Sequence, residues 1–83
     1  MIFTFEASVL APQGKLSRED RTEIRDYLNS VRIDAPDPEK ACRQLARLVA
    51  GRLSKESSGG KAVIALPDYG SSCQVRVTAH AED

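Results

Sequence analysis

The alternation of apolar and polar residues at the two ends of the chain is the feature that most constrains its fold. Residues 2–11 and residues 73–81 both place an apolar side chain at every second position. A period of two is typical of a strand that is buried on one face. Residues 61–66 are apolar on both faces, which indicates a strand with neighbours on both sides. These patterns therefore predict a sheet of three strands.

Two amphipathic helices are predicted between the first and second of these strands. Residues 18–31 follow Ser17, a residue that favours the N-cap position, and residues 38–55 follow Asp37 with Pro38 in the first turn. Apolar residues recur at helical spacing in both segments. The stripe of the first helix is Ile24, Tyr27, Leu28 and Val31, and that of the second is Cys42, Leu45, Ala46, Val49 and Leu53.

The order strand, helix, helix, strand, strand predicts an α+β fold in a single domain that spans residues 1–83. Two antiparallel helices would pack on one face of a three-stranded, mainly antiparallel sheet. Residues 61–66 and 73–81 form a hairpin in this prediction, and 61–66 takes the middle position. The alternative order places 73–81 in the middle, parallel to the first strand.

The composition argues against several classes of function. The chain has 83 residues, 12 basic and 12 acidic side chains, one histidine and two cysteines. So short a chain buries too little surface to enclose a deep cleft easily. His80 is the only conventional general base, and Cys42 and Cys73 lie on apolar stripes as small buried side chains. We therefore predict a non-enzymatic protein with no catalytic residue, no metal and no cofactor.

The same counts bear on location and association. The longest apolar run is 62–67, far shorter than the roughly 18 residues that a membrane-spanning helix needs. No signal peptide is visible and two cysteines do not indicate a secreted disulfide scaffold, so a cytoplasmic location without membrane contact is predicted. Strands at a sheet edge could pair with a second copy, so a homodimer remains open.

The second helix carries the most informative charge pattern. Every charged residue from Lys40 to Lys55 is basic. Such a stripe favours contact with an acidic partner or with phosphates. The alternative is a solvated face whose cations pair with acids of the first helix, namely Glu19, Glu23 and Asp26. The predicted partner-binding residues are Lys40, Arg43, Gln44 and Arg47 on this helix and Arg76 on the sheet.

Arg76 enters this prediction because the helices are expected to leave one sheet face open. If they cover the face of Phe3 and Val75, the opposite face displays polar side chains such as Arg76 and His80. The strand at 61–66 would add either Val63 and Ala65 or Ile64 and Leu66 to it. An apolar strip with a polar border is typical of partner-binding surfaces.

The element order resembles the core of a type I KH domain, which would imply RNA binding. That family clamps the nucleic-acid backbone with a Gly-x-x-Gly loop between its helices. Residues 31–37, VRIDAPD, contain no glycine, so the RNA function is not carried over.

Size, layout and the lack of catalytic residues also resemble small inhibitor proteins of phages and mobile elements, including anti-CRISPR proteins. This resemblance implies an inhibitor or adaptor that occupies the surface of a partner protein, for instance in a nucleic-acid-processing complex. The alternative is a weak nucleic-acid-binding domain that uses Lys40, Arg43, Arg47 and Arg52.

Overall fold

The chain folds into two helices and a five-stranded antiparallel sheet in a computed structural model that describes residues 1–10, 16–55, 57–69 and 73–82. The strands are β1 (Ile2–Val9), β2 (Ile33–Asp34), β3 (Arg52–Leu53), β4 (Lys61–Ala65) and β5 (Gln74–Ala81). The helices are α1 (Arg18–Ser30) and α2 (Pro38–Leu48), and a 3₁₀ turn spans Pro67–Tyr69. The sheet curls as a half-barrel.

The strand order is β2-β1-β5-β4-β3. The α+β class and the antiparallel sheet are confirmed, but the predictions of three strands and of a central strand at 61–66 are wrong. β5 is central, between β1 and β4, and all its pairings are antiparallel. The alternative strand order, with 73–81 in the middle, is therefore confirmed. Its expected parallel direction of this strand relative to β1 is wrong.

The two additional strands escaped prediction because each is only two residues long. β2 pairs with Ile2 and Phe3, and β3 pairs with Ala65 and Ile64. A segment of two residues shows no periodicity in its sequence. It is a strand only because it pairs with a neighbouring long strand. β3 also explains how β4 has a neighbour on each side without being central.

Both predicted helix starts are confirmed. The Asp20 N–H donates to Ser17 Oγ at 3.0 Å, and the Lys40 N–H donates to Asp37 Oδ1 at 2.8 Å. These bonds satisfy amide groups that have no partner within the helix. Pro38 occupies the first turn of α2, where a missing N–H costs nothing.

The predicted end of the second helix at residue 55 is wrong by seven residues. α2 ends at Leu48, and the Gly51 N–H donates to the Ala46 carbonyl at 2.8 Å in place of a continuing helical bond. Ala50 adopts a left-handed conformation with φ of 54°. The chain then turns into β3. The other element ends differ from prediction by one or two residues.

The core lies between the helices and one face of the sheet. α1 lies over β1, whereas α2 contacts β5, β4 and the two short strands β2 and β3. The largest buried side chains come from both helices and from three strands, namely Phe3, Leu28, Leu45, Ile64, Val75 and Val77. Tyr27, predicted within the buried stripe of the first helix, is instead half exposed.

Several sequence predictions concern residues outside the described ranges. They are the end of the predicted first strand at Ala11 and, at 70–72, the last part of the segment that connects the two strands of the predicted hairpin.

Candidate partner-binding surfaces

The solvent face of α2 carries four of the five predicted site residues, and all four are exposed. We call this surface, formed by Lys40, Arg43, Gln44 and Arg47, the basic face. The opposite side of the helix is fully buried at Ala41 and Leu45. Packing therefore holds the helix in one orientation, and the basic face points outward as a consequence.

The cations of the basic face do not pair with the acids of α1. Arg43 contacts Glu39, one turn earlier in its own helix, with a nitrogen-to-oxygen distance of 3.1 Å. Within the described part of the chain, Lys40 and Arg47 make no ion pair. The predicted alternative, in which α1 neutralises α2, is absent because the two helices cover different strands.

Arg76, the fifth predicted residue, lies on the other side of the sheet. Val75 and Val77 on either side of it are fully buried under the helices, so Arg76 points away from them. It stands opposite Ser8 and Val63 on the neighbouring strands. The structure therefore separates Arg76 from the basic face by the thickness of the sheet.

The open sheet face matches its predicted composition. Val63 and Ala65 are half buried there, whereas Ile64 and Leu66 face the core. Arg52, expected on the second helix, pairs with Ala65 and joins this face through β3. Of the four cations predicted to bind nucleic acid from the second helix, Arg52 is therefore not on that helix.

The single histidine also lies on the open face. His80 Nε2 is 3.2 Å from Glu6 Oε2, and both side chains are largely exposed. The hydroxyl of Ser8 is not beside it, since Ser8 pairs with Arg76, four residues along β5. Cys73 is buried on the other side of the sheet.

Both cysteines are buried free thiols. Burial raises the pKa of the Cys42 thiol, whose sulfur lies 3.7 Å from the Gly60 carbonyl oxygen. Burial also raises the pKa of Cys73, while the nearby positive charge of Arg21 lowers it in part. Both thiols are thus held in the protonated, weakly nucleophilic form at neutral pH.

A groove between α1 and the 3₁₀ helix at Pro67–Tyr69, with Val49 at the end of α2 on its border, was not predicted from the sequence. We call it the interhelical groove, a cavity of about 200 Å³ with an apolar floor, two tyrosines and two carboxylates at its rim. Its lining consists of Glu23, Ile24, Tyr27, Leu28, Val49, Leu66, Asp68 and Tyr69. Exposed tyrosines around an apolar pocket are typical of protein-binding sites.

The groove was missed because its residues are distant in sequence. Tyr27 fits the apolar stripe of α1 and Tyr69 follows a turn-forming Pro-Asp pair, so each has a local explanation. Only the packing of the 3₁₀ turn beside α1 brings the two rings to one cavity.

A second basic surface also lies outside the predicted site. Arg18, Arg21 and Arg25 line a cavity of about 300 Å³ beside the end of β1. Their spacing of three and four residues places them on one side of α1. Arg25 lies 3.4 Å from Asp26. This spacing was the available signal, but the intervening acidic residues obscured it.

Three comparisons with known proteins gave no relative. No protein-family model, curated protein or solved structure matches the chain. Within the described ranges, no group of three or more potential metal ligands comes together. In the same part of the chain, neither helix has the length and hydropathy that crossing a membrane requires.

Proposed function

We propose that this chain is a non-enzymatic protein-binding domain of the inhibitor or adaptor type. Its basic face would contact an acidic surface of the partner. The observation that carries the proposal is the exposure of Lys40 and Arg47, without an acidic partner among the described residues, on a helix whose other side is fully buried.

The physical basis is electrostatic complementarity on a rigid support. Cations that already pair within the protein must lose those contacts before they bind a partner, whereas Lys40 and Arg47 have no ion pair with any residue in the described ranges. Complementary charges speed association and select the partner more than they add affinity. Because packing orients α2, little conformational freedom would be lost on binding.

The resemblance to small phage inhibitors suggests where to search first. A nucleic-acid-processing complex of the host is the partner class we propose. The protein would act by occupying a surface of that complex. Its zero net charge makes mimicry of the DNA polyanion a poor explanation.

The test compares two matched pairs of charge reversals. Lys40→Glu with Arg43→Glu changes the basic face, and Arg52→Glu with Arg76→Glu changes the open face by the same total charge. Tagged proteins would be used to capture partners from a lysate of the source organism, with nuclease added to half of each sample. Circular dichroism and thermal unfolding would establish that both variants fold.

The proposal predicts a stoichiometric protein partner that survives nuclease and is lost only with the Lys40/Arg43 variant. Loss only with the Arg52/Arg76 variant would move the site to the open face. Capture that disappears with nuclease would support the nucleic-acid alternative, and affinity should then fall linearly with salt on logarithmic axes.

A further inference from the structure

Exposed apolar side chains border the interhelical groove. Six large apolar side chains are exposed in the described part of the chain, and Tyr27 and Tyr69 are two of them, at 50% and 44% exposure. Both line the groove. Leu48, which is 55% exposed, precedes Val49 in the groove lining. The other three, Met1, Leu10 and Leu53, do not line it.

Helix geometry places Leu48 on the flank of α2 away from Arg43. Arg43 lines a different cavity, with Leu53 and Lys61, on the flank toward β3. Leu48 is five residues further along and so about 140° away around the helix axis. It is therefore an exposed leucine on the other flank of α2, between Arg47 of the basic face and Val49 of the groove lining.

Charges of opposite sign lie around this area. Glu23 and Asp68 line the groove, and no lysine or arginine does. Neither carboxylate forms an ion pair with a described residue, and Arg47, adjacent to Leu48, has none either. The surface thus combines an apolar cavity, an exposed apolar side chain, two carboxylates and an arginine.

We propose that the interhelical groove is the interface of a homodimer. A two-fold axis would bring the same surface of two copies together. Each copy would then offer an apolar side chain and a cation to the groove and the carboxylates of the other. Leu48 of each copy would enter the groove of the other, between Tyr27 and Tyr69, and Arg47 would approach Glu23 and Asp68. The absence of net charge leaves no long-range repulsion between copies.

This interface shares Arg47 with the basic face, but the two proposals are tested at different residues. The dimer test changes Leu48, whereas the partner variant changes Lys40 and Arg43. Each proposal can therefore fail alone.

The first experiment measures self-association of the purified chain by sedimentation equilibrium over about a hundredfold range of concentration. The wild type should form a dimer. Leu48→Ser should weaken the dimer roughly tenfold or more, because the apolar side chain that enters the groove is lost. Leu53→Ser is the matched control, since it removes an exposed leucine elsewhere and should leave the dimer intact.

The second experiment exchanges the charges. Arg47→Glu alone and the double variant Glu23→Lys/Asp68→Lys alone should each be monomeric, because like charges would face each other across the axis. An equimolar mixture should form a mixed dimer, since opposite charges then meet at both copies of the contact. If the substitutions only disturbed the fold, mixing the two variants would not restore the dimer.

Three results would overturn the proposal. They are a monomeric wild type at every concentration, a dimer that is unaffected by Leu48→Ser, and a mixture of charge variants that stays monomeric. A monomer whose tyrosine resonances respond to an added lysine-rich peptide would assign the groove to another protein.

Discussion

Gly51 lies against Ile64 so closely that a β-carbon at position 51 would be 2.5 Å from Ile64 Cγ2. It would also be 2.8 Å from the Ala65 carbonyl oxygen. Ile64 is fully buried and belongs to β4, so neither group can move away easily. This contact is where the chain leaves α2, crosses β4 and begins β3.

Gly51→Ala should therefore destabilise the protein. In a helix the same change would stabilise by about 1 kcal/mol, but here overpacking should cost about 1–3 kcal/mol. Urea unfolding would measure the difference. Gly59→Ala is a useful comparison, since nothing lies within 4 Å of its added carbon and any cost there arises from its positive φ of 60°.

Ala50→Gly should have the opposite effect. Ala50 has a φ of 54°, a conformation that costs a residue with a β-carbon about 1 kcal/mol. Glycine adopts it without that penalty, although it raises the entropy of the unfolded chain. We expect a net gain of a few tenths to about 1 kcal/mol. A lower midpoint of thermal unfolding for the variant would contradict this prediction.

Asn29 should be needed to complete the sheet at β1. Its Oδ1 accepts the Ala7 N–H at 2.9 Å, at a place beyond the reach of β2, which pairs only with Ile2 and Phe3. Asn29→Ala should cost about 1–2 kcal/mol and speed hydrogen exchange of the Ala7 amide. Asn29→Asp keeps the acceptor and is the control. Unchanged exchange in the alanine variant would show that the bond contributes nothing.

The two thiols should make stability fall at alkaline pH. Burial raises the pKa of Cys42 and of Cys73 in the folded protein, so folding favours the protonated thiol. Their contribution is complete below the ordinary thiol pKa of about 8.5 and is lost as pH rises above it. Urea unfolding from about pH 7 to 10 should show a decline that is smaller in Cys42→Ala.

Thiol labelling provides an independent check of the same prediction. In native protein at neutral pH, both cysteines should react slowly with an aromatic disulfide reagent and at full rate only after unfolding. Rapid labelling of the folded protein would contradict the burial of Cys42 and Cys73.

The helix starts were predictable because their causes are local. Ser17 and Asp37 accept hydrogen bonds from amides three residues later, and no distant residue takes part. The end of α2 was not predictable in this way. Val49 and Leu53 continue the apolar spacing of a helix, and only the contact of Gly51 with Ile64 shows why the helix stops.

The candidate site also has a part that was predictable from local sequence and a part that was not. The basic face was predictable because Lys40, Arg43 and Arg47 share one helix with a strong apolar stripe on its other side. The position of Arg76 relative to that face was not, since it depends on which sheet face the helices cover. The interhelical groove combines Tyr27 with Tyr69, which are 42 positions apart in the chain.

The sequence by itself determined the α+β class, the two helix starts, the three long strands and the exposure of the basic face, because these follow from periodicity and from bonds between near neighbours. Tertiary structure decided the central place of β5, the two short strands, the end of α2 and the interhelical groove. The physical reason is that each of these depends on contacts between distant segments, whose free energy is gained only when the whole sheet and both helices pack together.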